Sequence, residues 1–481
     1  MALTSAQEAT IAQIITAYEN GKRLSDLPQV ATDTNPFDLI CEVIDKTGES
    51  KKATLAAMLP YLEESCSYGV IIDTAVSSPV LTRIGNTELH KTLPIQSRMR
   101  GCLLDDNGNV VEYLDPNDWT GNTRDGSRGQ VMVEIPAHYR KHSTSGTKQT
   151  TRISEYPLPG YTHIPLMYVS AYEAALDRTN SKLASVVNTS VQYRGGNNDS
   201  SKDGKYNSLL GMPATAISRG SFRSYARKRN DSATTEWNCY TYDIHKAIYW
   251  LYVVEYANLN SQADFNAALT SEGYKQGGLG SGVSNMPNWD QYGYFPVVPC
   301  GATDVLGNGT GVVTHNVMAS NETTIKYAAP VPRYRGIENP FGHIWKWTDG
   351  INIEINPTSA NGGNDLSRVF ACSDPSKFTD SGYTGYSHVG NEARDEGYAT
   401  KLIFGEGGEI VPSAVGGGAT TYLCDYHWTA IPTATQLRGV VLGGDASNGA
   451  RDGLAFVDSN AGPSDTGAAV GSRLCFIPAT A

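Results

Sequence analysis

The chain has 481 residues, a formal net charge of −11, 40% hydrophobic residues and 18% charged residues. This length is enough for two to four domains, and the negative balance argues against nucleic acid as a partner. No stretch of the sequence is long and apolar enough to span a bilayer, so no membrane insertion is expected. Eight scattered cysteines without a CxxC motif predict buried free thiols, as in a protein made in a reducing cytoplasm.

The first predicted element is a short amphipathic helix. Ser5 and Glu8 form a capping box, and Gly21 ends the helix. Its apolar side chains share one face: Ile11, Ile14, Ile15 and Tyr18. One short helix cannot bury such a stripe alone, so a second copy of the chain or another protein is expected to cover it.

The next stretch, "LSDLPQVATDTNPFDLICEVIDKTGESKKATLAAML", predicts a turn, a strand over residues 39–44, a Thr-Gly turn and a second small helix. It resembles the N-terminal segments of phage tail fibres. The resemblance implies that residues 1–62 are an attachment and oligomerisation segment that holds other phage tail proteins or further copies, most often as a trimer.

A small β-rich connecting domain is predicted over residues 63–120. Its clearest signal is "LLDDNGNVVEYL", in which Asp-Asn-Gly-Asn separates two apolar runs, as in a β-hairpin. Beyond Gly121, the stretches "GQVMVEIPAHYRKH" and "HIPLMYVSAYEAAL" predict further strands.

Two helices are predicted in the middle of the chain, over residues 218–230 and 242–258. The second is the longest apolar helix in the sequence. After about Leu259 the helical pattern ends, and Gly, Asn, Asp, Thr and aromatic residues indicate short strands and long loops. The predicted fold class is α+β.

The order of elements carries a second resemblance. Two helices, the "TEW" element at 235–237, the strand "NPFGHIWKWTDGI" and a terminal "RGV…SRLCFIP" occur in that order. This order resembles the formylglycine-generating-enzyme branch of the C-type lectin fold, and within it the variable proteins of diversity-generating retroelements and phage receptor-binding proteins. It implies a C-type lectin-like domain over 121–481, with two helices, short antiparallel sheets and long loops.

Enzyme activity is not expected. Enzymes of that branch hold copper with two cysteines a few residues apart near the C-terminus, whereas the cysteine nearest to Cys475 is Cys424. His138 and His142 lie on a predicted strand, about 13 Å apart, too far for one ion. A formylglycine-generating-type enzyme remains one alternative. A bacterial cell-surface adhesin is another, disfavoured because the N-terminus lacks a secretory signal.

No cofactor is expected, and calcium is the one possible ion. The stretches "TDGIN" at 348–352 and "GGNDLS" at 362–367 are rich in the oxygen ligands that calcium prefers. Solvated loops are the alternative interpretation of both.

The segment 438–478 is predicted to present the binding face. Apolar residues recur at strand-like spacing, with runs of short polar residues between them, so we expect an anchored backbone with outward side chains. For Phe456, a buried strand position is an open alternative. The predicted binding residues are Tyr426, Trp428, Asp445, Ser447, Asn448, Arg451, Asp452, Leu454, Phe456, Asp458, Ser459, Asn460, Ser464, Asp465 and Arg473.

The residue types in this segment match those produced when retroelements scramble the adenines of Asn codons; a fixed binding loop is the alternative. Together these features predict a phage tail-fibre or receptor-binding protein, located in the virion and made in the host cytoplasm. Its C-terminal domain would adhere to a bacterial surface glycan or protein through many weak sites in parallel.

Overall fold

The computed structural model describes residues 40–44, 50–230, 234–319, 321, 323–357 and 366–479. The predicted N-terminal helix lies outside these residues. The first described elements are an antiparallel pair, β1 (Ile40–Ile44) and β2 (Ser50–Thr54), followed by helix α1 (Leu55–Cys66). The predicted strand and second small helix of this stretch are therefore confirmed. Within the described ranges, no helix has the length and apolar character needed to cross a membrane.

A five-stranded antiparallel sheet follows, in the order β10-β8-β9-β3-β4. Helix α2 (Thr87–Thr92) comes directly after its edge strand β4 and is capped by Asn86, which accepts from the Glu88 amide. The strands are β3 (Ser67–Asp73), β4 (Thr82–Gly85), β8 (His138–Ser145), β9 (Lys148–Ser154) and β10 (Thr162–Ile164).

A six-stranded sheet has the order β14-β29-β11-β7-β5-β6. Its strands are β5 (Arg100–Leu104), β6 (Val110–Tyr113), β7 (Gln130–Ile135), β11 (Met167–Ser170), β14 (Trp237–Cys239) and β29 (Leu474–Phe476). The predicted hairpin is confirmed as the pair β5–β6.

The predicted domain boundary between residues 120 and 121 is crossed by both of these sheets, because each contains strands from before and after it. Strand β3 pairs with β9, and β5 pairs with β7. One hydrophobic core also extends from Tyr68 to Cys475. The stretch 63–120 is therefore built into the same body as the residues that follow it, because its strands find their partners beyond the boundary.

Both central helices form as predicted. Helix α3 (Arg219–Arg227) begins after Ser218, whose side chain accepts from the Ser221 amide. Helix α4 (Tyr242–Tyr256) begins after Thr241, which accepts from the Ile244 amide, and it is buried almost all round. A helix that is apolar on every face belongs in the interior, and α4 is the central element of the core.

Strands, turns and loops make up the described chain after α4. In the described part of that region, helical residues are confined to short 3₁₀ turns, as the sequence predicts. The smaller pairs and the three-stranded sheet comprise β12 (Ala175–Asp177) with β13 (Lys182–Ala184), β15 (Phe265–Asn266) with β16 (Gln276–Gly277), and β17 (Gly311–Met318), β18 (Ile325–Tyr334) and β19 (Ile337–Glu338).

The largest sheet has nine strands, in the order β22-β21-β20-β26-β27-β25-β23-β24 with β28 beside β20. Its strands are β20 (Trp345–Ile355), β21 (Ser367–Ala371), β22 (Ser387–Glu392), β23 (Gly397–Phe404), β24 (Glu409–Val415), β25 (Tyr426–Trp428), β26 (Gln436–Leu442), β27 (Val457–Asp458) and β28 (Val470–Gly471). The combination of helices and sheets is α+β, and this sheet carries the predicted binding segment.

Candidate functional site

The predicted binding segment enters the site through β26, which lies between β20 and β27. Gly443 and Gly444 then turn the chain with φ of 88° and 75°. A Cβ on Gly444 would lie 1.6 Å from Oδ1 of Asp452. Glycine therefore allows the loop that follows β26 to pass directly over this buried carboxylate.

Asp445 builds the loop from within. Its Oδ1 accepts hydrogen bonds from the Ser447 amide at 2.9 Å, the Ser447 hydroxyl at 2.8 Å and the Asn448 side-chain amide at 2.6 Å. Its side chain is 3% exposed. The prediction that Asp445 points outward is therefore wrong, because the carboxylate satisfies the donors of its own turn.

The loop is also tied to the rest of the molecule. Gln262 donates to the carbonyl oxygens of Gly449 at 3.0 Å and Asp452 at 2.8 Å. The amide of Ala446 donates to the carbonyl of His343 at 3.1 Å. Residues 445–452 are consequently held in one conformation by groups that come from distant parts of the sequence.

Six more predicted binding residues are buried, so an outward orientation is wrong for them; at Phe456 the alternative, a buried position, is the one observed. Arg473 donates to the carbonyls of Ser170 at 3.1 Å and Asn339 at 2.7 Å, and Ser459 donates to Glu392 at 2.9 Å. The strand β27 has two residues only, so the apolar spacing around it does not produce one buried and one exposed face. The buried residues are Asp452, Leu454, Phe456, Asp458, Ser459 and Arg473.

The other predicted residues do reach the surface. Ser447, Arg451, Asn460, Ser464 and Asp465 are exposed, and Tyr426, Trp428 and Asn448 are half-buried.

Three of the predicted anchors come together. The guanidinium carbon of Arg451 lies 4.9 Å from the ring centre of Tyr426 and 5.3 Å from that of Trp428. The two rings are 5.0 Å apart. They stand on the same face of β25 because they are two residues apart, and His427 between them is fully buried. The guanidinium is held against both rings by cation–π attraction.

Tyr398 completes this surface and was missed from the sequence. It lies opposite Tyr426 in the pair β23–β25, with the two ring centres 5.1 Å apart. Burial raises the pKa of Tyr398, and the neighbouring charge of Arg451 partly offsets this rise. The sequence of 397–404 is compatible with a strand but contains no sign of its partner. Tyr398, Tyr426, Trp428 and Arg451 are called the Arg451 surface below.

Ser464 and Asp465 lie elsewhere, in an open groove of about 690 Å³. Ser218 and Ser221 at the start of α3 line it, together with Arg438 on β26. The groove shares no lining residue with the Arg451 surface. The predicted single binding face is therefore divided between two surfaces.

Buried carboxyl groups lie beneath the Arg451 surface. Asp425 accepts from the Ala455 amide at 2.6 Å through Oδ2, whereas its Oδ1 has no hydrogen-bond partner among the described residues. Burial raises the pKa of Asp425 to about 8 and that of Asp452 well above the usual range. Both groups are buried and are not available to a partner in solution.

The first predicted calcium stretch has its oxygens engaged by arginines. Asp349 accepts from Arg223 at 3.1 Å, and Asn352 accepts from Arg219 at 2.7 Å. Most of the second stretch lies outside the described residues. Where the chain is described, His, Cys, Asp and Glu side chains form no group of three or more that could hold a metal ion.

No family model and no curated protein matches the chain. Among solved structures, the Major Tropism Determinant U1 Variant is similar with 13% identity and a TM-score of 0.26, over 79% of this chain and 72% of that chain. The Major Tropism Determinant P3c Variant is similar with 12% identity and a TM-score of 0.27, over 86% and 72%. Likeness at this level establishes neither the fold nor the function of the present chain.

Proposed function

We propose that the chain is a phage tail receptor-binding protein with a C-type lectin-like fold. In this proposal the Arg451 surface contacts a glycan or protein on the bacterial surface. The observation that carries it is the exposed guanidinium of Arg451 held over Tyr426 and Trp428 on a fixed loop.

The chemistry of these residues suits recognition. Tyr, Trp and Arg are the residue types that contribute most to binding energy at interfaces. The planar guanidinium of Arg451 offers paired donors to carboxylates or hydroxyls, and the rings offer apolar area with polar tips. Because Asp445 and Gln262 already hold the loop, binding need not order it, and less conformational entropy is lost.

The burial of the segment also limits which positions can vary. Ser447, Asn448 and Arg451 are at the surface, so changes there leave the core intact. Changes at Leu454 or Phe456 alter fully buried side chains. If a retroelement diversifies this chain, we expect the tolerated variation to concentrate at 447–451 and 460–465.

We also propose that the protein is attached to the virion and assembled with further copies. Residues 1–62 would fix the protein to the virion or to its own copies, as a homotrimer in the manner of tail fibres. Several Arg451 surfaces would then act together, and avidity would compensate for modest affinity at each.

The test is adsorption of phage, or of purified full-length protein, to host cells. Arg451→Glu reverses an exposed charge and is expected to abolish adsorption while the circular dichroism spectrum stays unchanged. Lys401→Glu reverses another exposed charge on β23, the strand that carries Tyr398, and is expected to adsorb normally. Normal adsorption by folded Arg451→Glu would reject the Arg451 surface as the receptor site.

A further inference from the structure

A second cavity, of about 590 Å³, lies between β8, the start of α4, the pair β21–β22 and the turn before β24. Charged residues line it, among them Arg140, Asp243, Lys246 and Glu409. Its lining also includes the apolar residues Ile164, Val389 and Ile477. None of its lining residues belongs to the Arg451 surface.

Arg140 is the unusual member of this cavity. It is 6% exposed. Its one hydrogen bond runs from Nη1 to the carbonyl oxygen of Lys246 at 3.3 Å. Among the described residues, no carboxylate lies within ion-pair distance of its guanidinium, and Nε and Nη2 have no hydrogen-bond partner. Burial lowers the pKa of Arg140 to about 10, so it remains a cation at neutral pH.

The other cation of the cavity is paired, whereas Glu409 keeps one carboxylate oxygen, Oε2, without a hydrogen-bond partner among the described residues. Lys246 Nζ lies 3.1 Å from Glu409 Oε1 and 3.4 Å from Asp243 Oδ1. Asp374 is exposed and pairs with Lys377 at 3.1 Å. Glu406 is exposed, so water and salt screen its charge. Arg140 is thus a buried cation with no carboxylate in contact with it, although Asp243 and Glu409 attract it from a longer distance. Buried charges in proteins are ordinarily paired in direct contact.

We propose that the cavity binds a small carboxylate ligand with an apolar body. The carboxylate would receive the free donors of Arg140, in the paired geometry that a guanidinium favours. The apolar body would lie against Ile164, Val389 and Ile477. The volume is within the range of small-molecule sites. This site does not depend on the proposed receptor function, and either can fail without the other.

The probe is isovalerate, with isoamyl alcohol as the matched control that has the same apolar body and no charge. Isothermal titration of the full-length protein is expected to show one saturable isovalerate site that weakens with added salt. The alcohol is expected to show none. Equal binding of both compounds would overturn the role of the carboxylate, and binding of neither would show a hydrated cavity only and overturn the proposal.

Two variants locate the site. Arg140→Met is expected to abolish isovalerate binding while leaving the melting temperature of the ligand-free protein unchanged or higher, because it removes a buried charge without a partner. Ser387→Trp narrows the cavity at an exposed lining position and is expected to abolish binding even if Arg140→Met fails to fold. Lys141 follows Arg140 on β8 and pairs with Glu63. The control variant Lys141→Met breaks this pair and is expected to bind isovalerate normally. Binding retained in folded Arg140→Met or in Ser387→Trp would overturn the proposal.

Discussion

Gln262 donates its side-chain amide to the carbonyl oxygen of Gly449 at 3.0 Å, across 187 residues of sequence. The same nitrogen lies 2.8 Å from the carbonyl oxygen of Asp452. This side chain therefore bridges the two ends of the 3₁₀ turn Gly449–Arg451, which carries the guanidinium of the Arg451 surface.

Replacing Gln262 with Ala is expected to loosen that turn. Two partly buried carbonyls lose their donor, which destabilises the fold by about 1–3 kcal/mol. Adsorption to host cells is expected to fall, since Arg451 is no longer held over the rings. Urea denaturation measures the loss of stability, and an adsorption assay on host cells measures the loss of binding. Unchanged adsorption in the folded variant would show that the position of the turn is irrelevant to binding.

Asp445 and Ser447 lie two residues apart, and their replacement by Ala is expected to have unequal effects. Asp445→Ala leaves the Ser447 and Asn448 donors without their acceptor and is expected to cost about 1–3 kcal/mol. Ser447 is exposed, so Ser447→Ala is expected to stay within about 0.5 kcal/mol. Chemical denaturation of both variants measures this difference, and equal effects would contradict the structural role of Asp445.

Trp347 and Trp345 form a second matched pair on β20. Trp347 is 1% exposed, and Trp347→Ala is expected to cost about 3–5 kcal/mol. Trp345 is half-buried, so Trp345→Ala is expected to cost clearly less. Thermal and urea unfolding of both variants shows which substitution costs more stability. A larger loss of stability in Trp345→Ala would contradict the packing described for this strand.

Asp425 makes stability depend on pH. Its pKa is about 8 in the folded protein, raised from 3.8 by burial. Between these pH values the folded state keeps a proton on Asp425 that the unfolded state loses. The contribution of Asp425 to stability is therefore full below pH 4 and is lost as the pH rises towards 8. Over this range the free energy of unfolding changes by about −1.4 kcal/mol per pH unit.

Asp425→Asn removes the titrating group from this site. We compare the free energy of unfolding of the variant with that of the wild type by urea denaturation at pH 5 and at pH 8. The difference is expected to favour the variant more at pH 8 than at pH 5. Asp465→Asn, at an exposed position, is the control and is expected to show no such change. An equal effect of Asp425→Asn at both pH values would mean that the carboxyl is ionised in the folded state.

The helices and hairpins were predictable because their signals are local. Ser218 and the apolar face that follows it predict α3, and the mostly apolar stretch after Thr241 predicts α4. Asp-Asn-Gly-Asn predicts the hairpin β5–β6. In each case the residues that determine the element are neighbours in sequence.

The site was only partly predictable, because its contacts are long-range. The chemistry of Tyr426, Trp428 and Arg451 predicts binding residues, and the structure brings their side chains together. Asp445 and Arg473 look like surface residues. The donors that satisfy Asp445 belong to its own turn, at Ser447 and Asn448. The carbonyls that accept from Arg473, by contrast, come from Ser170 and Asn339, which lie far away in the sequence. Tyr398 was missed for the same reason.

The most direct test of receptor binding by the Arg451 surface is oxidative footprinting of the full-length protein, with and without host cell envelopes. We expect the envelopes to protect Tyr426, Trp428 and Tyr398 from oxidation, while Tyr294, which is 50% exposed, stays reactive. Undiminished oxidation of Tyr426 and Trp428 at saturating envelope concentration would contradict receptor binding by this surface.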